Sequence, residues 1–201
     1  VGIVVFGVTQ SKPVVPSLPV SENTMIREGS HMTGEKGSKV TIVEFGDYQC
    51  PACASAHPLV KKVLEDYKDN KDINFVFRNF PLPMHKNAEI SAEAAEAAGA
   101  QGKFWEMYDL IYQNQQEWSE STNAIDIFIK YAESLSLDIK TFKNDVLNKK
   151  FSLVIEADRK DGDTAQVTGT PTFFINGKKI GNGVPSYDEF KKEIDAALKA
   201  N

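Results

Sequence analysis

The strongest constraint in this sequence is a pattern spanning residues 40–53. Val40-Thr41-Ile42-Val43-Glu44-Phe45 is a β-branched, mostly apolar run without helical period, and it predicts a buried strand. Cys50-Pro51-Ala52-Cys53 follows and opens a helix over residues 51–69. Ala56, Val60, Val63 and Tyr67 recur there at helical spacing, with Leu59 and Leu64 widening the stripe. Pro51 sits in the first helical turn, where its missing N–H costs nothing. Asn70 and Lys71 close the helix, and Ile73-Asn74-Phe75-Val76-Phe77 reads as a second strand. Strand, helix, strand in that order implies a parallel pair joined by a right-handed crossover.

Composition decides what the cysteine pair cannot be. The chain has 201 residues, enough for one domain or one domain with an insertion, and only two cysteines. A disulfide framework needs more cysteines, spread along the chain. The net charge of −5 leans away from a nucleic-acid binder, which neutralises phosphates with basic side chains.

The rest of the chain has three parts. Residues 1–8 are an apolar run, too short to cross a bilayer, and read as a truncated membrane anchor or signal remnant. Residues 9–30, with Pro13, Pro16 and Pro19, read as an extended linker. The folded part is assigned to residues 31–201, its first strand starting near Lys39. Within it, residues 86–165 are rich in alanine, glutamate and lysine and predict a helical insertion, with helices over 88–100, 104–115, 125–134, 139–147 and 150–165. Phe104, Met107, Leu110, Ile111, Trp105 and Trp118 are expected to pack there. Strand character returns at residues 172–175, Asn176-Gly177 marks a type I′ hairpin turn, and Ser186 caps a final helix over 187–199.

Cys50 stands at a helix N-cap, where unsatisfied N–H groups and the positive dipole end favour a thiolate. Cys53, one turn later on the same side, is within disulfide reach. Cys50 is therefore the expected nucleophile and Cys53 the resolving partner, with a Cys50 pKa in the range of about 3.5–7.5 found for such motifs. Glu44 lies six residues before Cys50 in an apolar strand. Burial would raise its pKa and let it relay protons to Cys53, whereas a strand-edge position would leave it in solvent. A Cys-x-x-Cys pair is also half of a zinc site, which His57 and His85 could complete with irregular spacing. His57 is otherwise read as a helix-surface residue and His85 as a surface or capping residue. No metal site is assigned.

Several segments together resemble the DsbA-like thiol–disulfide oxidoreductases of the thioredoxin superfamily. They are the run from Val43 to Cys53, Phe77-Arg78-Asn79-Phe80-Pro81-Leu82, the run from Ala94 to Trp105, and Val167-Thr168-Gly169-Thr170-Pro171-Thr172 with the strand and turn that follow. The resemblance implies an α/β chain with a thioredoxin fold and an inserted helical domain. It makes Pro171 a cis-proline facing the Cys50–Cys53 disulfide, and gives Glu44 the place of the family's buried acid. Substrate contact is assigned to Thr170, through its backbone, and to Pro51 and Ala52.

The only implied cofactor is the redox-active disulfide itself. The implied partners are unfolded or reduced exported proteins and a membrane quinone-linked reoxidant, with oxidase work outside the cytoplasm, possibly on an N-terminal tether. A reductase or isomerase of the same fold, and a zinc- or thiol-binding module, are the alternatives. Exposed apolar surface around Cys50 and Pro171 is expected for such substrates. One departure stands out. Ala52 replaces the histidine that the best-known members carry before the second cysteine, so a weaker oxidant and a Cys50 pKa near mid-range are expected.

Overall fold

The computed structural model describes residues 20–181 and 183–200. The expected anchor or signal remnant and the first part of the linker lie outside them. The described elements are α1 (Glu22–Met25), β1 (Met32–Thr33), β2 (Val40–Gly46), α2 (Pro51–Asp66), β3 (Ile73–Asn79), α3 (Ala88–Gly99), α4 (Phe104–Gln113), α5 (Gln115–Trp118), α6 (Ala124–Ser134), α7 (Ile139–Leu147), α8 (Ser152–Thr164), β4 (Thr172–Ile175), β5 (Lys178–Ile180) and α9 (Tyr187–Lys199). The described strands form one sheet in the order β1-β3-β2-β4-β5. β2 and β3 run parallel, as the strand–helix–strand reading requires, and the other neighbours pair antiparallel.

The sheet is covered on both faces, which is why β2 and β3 show no clean polar alternation. Ile42, Phe75, Phe77 and Phe173 pack with α2 and α4, while Val43, Phe45, Val76 and Phe174 pack with Met25, Phe80 and Val167. Successive side chains of β2 thus enter different cores, and Glu44 shares the α2/α4 side with Ile42. The helices α3 to α8 all lie between β3 and β4.

The linker assignment requires correction at its C-terminal end. Residues 20–30 are part of the folded body. Val20 N–H donates to the Gly177 carbonyl (2.9 Å), Met25 is buried, and Arg27 pairs with Asp161. The proline-rich composition that suggested a tether ends at Pro19. After it, Met25 and Ile26 supply apolar contacts and Arg27 a charge partner, which composition averages away. β1 likewise precedes the expected first strand. The hairpin turn is as read: Asn176 and Gly177 both have positive φ, and Val20 O lies only 2.2 Å from where a Gly177 Cβ would stand.

Candidate active site

The loop between β2 and α2 carries Cys50 to the helix start. Cys50 is the N-cap of α2 in an extended conformation (φ −68°, ψ 122°), with Pro51 directly inside the helix. Asp47 fixes this loop. Its Oδ1 accepts the Gln49 N–H (2.8 Å), and its Oδ2 accepts the Leu82 N–H (2.9 Å) and lies 2.6 Å from His85 Nδ1. The insertion grips the same loop. Gln115 Nε2 donates to the carbonyls of Tyr48 (2.7 Å) and Cys50 (3.0 Å), and Gln49 donates to Ser119 O (2.7 Å) while accepting the Asn87 N–H (2.6 Å).

Cys50 is 7% exposed, and Cys53 is fully buried beneath it. Hydrogen bonding from Cys53 is the largest influence on Cys50. Against the cost of burial, that bond, the Thr170 side chain and the backbone amides of Cys53 and Ala52 lower the Cys50 pKa to about 5. Cys53 is pushed well above its ordinary value, first by burial, then by its bond to Cys50 and by Glu44. The two thiols are therefore unequal: one is a thiolate at neutral pH and the other holds its proton. In the thiol form Cys50 Sγ donates to the Thr170 carbonyl (3.3 Å), and the Thr170–Pro171 bond that leads into β4 is cis.

Glu44 is 1% exposed, between Phe77 on β3 and Phe173 on β4. Burial raises its pKa to about 8, Tyr108 moderates the rise by hydrogen bonding to Oε2 (3.3 Å), and the charge of Cys50 adds to it. The strand-edge alternative does not apply. Glu44 is a protonated acid at neutral pH, close enough to both cysteines for the three groups to sense one another's charge.

Two histidine expectations change. His57 is buried at 4% exposure, with Nε2 2.8 Å from Asp109 Oδ1 on α4. It lies one turn beyond Cys53, on the face that the insertion covers, which the sequence of α2 alone does not show. Burial opposes the charge on Asp109, but hydrogen bonds from His57 and Lys61 outweigh it and hold that carboxylate below the usual range. His85 is tied to Asp47. Both candidate zinc histidines thus face carboxylates, and the described residues contain no group of three or more metal-type ligands. Trp118 is buried as expected, Trp105 and Leu110 are half-buried, and Phe104, Met107 and Ile111 are core.

Pro51 and Ala52 are exposed, and Pro51 lines a cleft of about 520 Å³ with Ala54, Ser55, Tyr112, Gln115 and Glu117. Its walls are mainly polar. The exposed large apolar side chains among the described residues are Met84, Leu147, Leu153, Val154 and Val184. None belongs to the Cys50 loop or the Thr170–Pro171 turn, but Met84 stands on the loop whose Leu82 and His85 hold Asp47, and exposed Pro51 and Ala52 adjoin Cys50.

The Thioredoxin family profile matches residues 27–196. Probable disulfide bond formation protein D of Bacillus cereus is 33% identical over 171 residues, covering 83% of this chain and 77% of that protein. The chain belongs to the DsbA-like thiol–disulfide oxidoreductases of the thioredoxin superfamily. BdbD from Bacillus subtilis, in its oxidised form, superposes with a TM-score of 0.78 at 26% identity, covering 92% of this chain and 98% of that one. The Na(+)/H(+) antiporter NhaA 1 of Salinispora arenicola is 40% identical over 150 residues, 74% of this chain, but the chain spans only 22% of that protein's length.

Sequence reasoning missed Asp47, Gln49, Gln115, Tyr48, Tyr108 and Tyr112. The tyrosines carried a signal: Tyr108 and Tyr112 stand one helical turn apart on the same face as Phe104. Gln115 had none, because its partners are carbonyls some 65 residues away.

Proposed function

We propose that this DsbA-like oxidoreductase is a protein thiol oxidase working outside the cytoplasm. The observation that carries the reading is the inequality of the two thiols: a Cys50 thiolate with a pKa of about 5 above a Cys53 that keeps its proton. A stable thiolate favours the reduced enzyme and makes its disulfide oxidising.

In the proposed cycle a substrate thiolate attacks Cys50 Sγ of the disulfide. The Cys50–Cys53 bond breaks, its electron pair goes to Cys53 Sγ, and Glu44 supplies the proton that makes Cys53 a thiol. A second substrate thiolate attacks the substrate sulfur of the mixed disulfide, and Cys50 leaves as a thiolate. The substrate loses two electrons and two protons. The enzyme gains both electrons and one proton, and the other proton enters solvent. Pro171 and the Thr170 carbonyl present an extended edge to the substrate backbone, with Pro51 and Ala52 on the exposed rim. A quinone-linked membrane protein restores the disulfide. The name of the B. cereus relative and the scarcity of cysteines support this direction.

A dithiol-peptide oxidation assay tests the roles. Cys50→Ser is expected to abolish turnover, and Cys53→Ser to accumulate mixed disulfides through Cys50. Full activity in either variant contradicts the assignment.

A further inference from the structure

A helix is usually fastened at its start by an N-cap side chain that accepts an amide of the first turn. At α2 that side chain is the Cys50 sulfur, which exchanges bonds with substrate. Whenever the sulfur enters a disulfide it loses its charge, and with it most of its hold on the Ala52 and Cys53 amides. Pro51, the next residue, has no N–H to contribute. Backbone contacts are left to keep Cys50 in place. Its N–H donates to the Asp47 carbonyl (3.0 Å), and its carbonyl accepts the Ala54 N–H (3.1 Å) and Gln115 Nε2 (3.0 Å). The same Gln115 amide donates to the Tyr48 carbonyl (2.7 Å). A primary amide has two N–H groups, one for each carbonyl. Of the two donors to the Cys50 carbonyl, Ala54 belongs to α2 itself and Gln115 comes from the insertion.

Gln115 is itself firmly held. It opens α5, whose Trp118 is fully buried and donates Nε1–H to the Ile111 carbonyl (2.8 Å). Asn87 Nδ2 donates to the carbonyls of Trp118 (3.1 Å), Ser119 (3.0 Å) and Ser121 (2.9 Å), and the Tyr131 hydroxyl donates to Glu117 (2.8 Å). The insertion thus supplies a fixed donor to a loop whose own capping group is taken up by the chemistry.

We propose that Gln115 is a positioning residue for thiol exchange: through its amide the inserted helices hold the Cys50 backbone where the sulfur meets the Ala52 and Cys53 amides, and so keep the Cys50–Cys53 pair oxidising. This rests on Cys50 being the thiolate that exchanges with substrate. Without the amide, the segment from Tyr48 to Cys50 gains freedom and the thiolate spends less time on those amides. The reduced form then loses stabilisation that the disulfide does not share, and the pair becomes a weaker oxidant.

The test compares Gln115→Met, which keeps the length of the side chain and loses both donors, with Tyr131→Phe, which breaks a bond inside the insertion and leaves the Cys50 loop untouched. The readings are the Cys50 titration by thiolate absorbance, the equilibrium of the pair against glutathione, and the thermal midpoint. Gln115→Met is expected to move the Cys50 titration to higher pH and to shift the glutathione equilibrium about three- to tenfold toward the enzyme disulfide, the worth of roughly one hydrogen bond. Tyr131→Phe is expected to lower the thermal midpoint and leave both redox readings at their wild-type values. Gln115→Asn keeps the amide but is too short to reach both carbonyls; it should show the same shifts at smaller size, and it serves if Gln115→Met does not fold. A lower thermal midpoint in the Gln115 variants with both redox readings unmoved reduces Gln115 to a fastener of the insertion and overturns the positioning role. Equal redox shifts in Tyr131→Phe overturn it too, because the readings then follow general stability. Turnover retained in Cys50→Ser overturns the role of Cys50 and the positioning role with it, whereas an inactive Cys50→Ser beside an unmoved Gln115→Met titration overturns the positioning role alone.

Discussion

The two faces of one sheet bury charge in opposite ways. Arg78 and Phe77 are neighbours on β3, and their side chains enter different cores. On the Arg78 side the guanidinium is fully engaged. Nε donates to Asp158 (2.7 Å), Nη2 to Asp161 (2.6 Å), and Nη1 to the carbonyls of Thr24 (3.0 Å) and Met25 (2.8 Å). Burial opposes ionisation of Asp161, but Arg27 and Arg78 overcome it and hold the carboxylate below its ordinary range, whereas at the more deeply buried Asp158 burial outweighs Arg78 and the Asn79 amide and raises the carboxyl. On the Phe77 side Glu44 has a phenol and two cysteines, and it avoids an unpaired charge by keeping its proton. The first cluster removes its charge by pairing and fastens α8 and the N-terminal segment to the sheet. The second does so by protonation, and a group that holds a proton near neutrality can also give it away.

That contrast breaks most clearly under pH. The Glu44 pKa rises from its ordinary 4.5 to about 8 on folding, so the native state binds more protons between those values. The associated stability is fully present below the lower value and is lost as pH rises through the higher one, by up to about 5 kcal/mol. The difference in unfolding free energy between the wild-type protein and Glu44→Gln, from denaturant titrations at pH 5 and pH 9, is expected to move in that direction. Cys50 in the reduced protein contributes with the other sign. Its pKa falls from 9.0 to about 5, so its stability is present above the first value and lost as pH falls through the second. Taking the difference against Glu44→Gln separates the two.

Arg78→Met should give the opposite picture: a loss of about 3–5 kcal/mol from a buried Asp158 left without a cation, with Asp161 keeping Arg27 alone, seen as a lower denaturant midpoint, with the Cys50 thiolate titration unmoved. A shift of that titration would show that the two faces are coupled. Asp47→Ala is expected to cost about 1–3 kcal/mol for the orphaned Gln49 and Leu82 amides, and to raise the Cys50 pKa by loosening the loop, which thiolate absorbance reads directly. Ser186→Ala removes the capping box of α9, on the exposed rim of the fold, and should cost only about 1 kcal/mol in thermal unfolding, with no redox effect.

Local chemistry made much of this legible in the sequence. The Asn176-Gly177 turn, the Ser186 cap, and the bounds of α7, β4, β5 and α9 follow from short-range preferences, and the structure places them as read. The cysteine pair, the helix start and the acid in an apolar strand were visible for the same reason. What escaped depends on distant partners. His57 reads as a surface residue until α4 supplies Asp109. Residues 20–30 read as a tether until Arg78 and Asp161 are brought to them. Gln115 reads as an ordinary polar residue until the Tyr48 and Cys50 carbonyls arrive beside it.

In the proposed cycle the unequal thiols make the Cys50–Cys53 pair an oxidant, and Ala52 leaves it a moderate one. The equilibrium redox potential of the Cys50–Cys53 pair against glutathione tests that directly. A value between about −120 and −180 mV is expected, and one near −270 mV, typical of a thioredoxin-like reductase, overturns the oxidase reading.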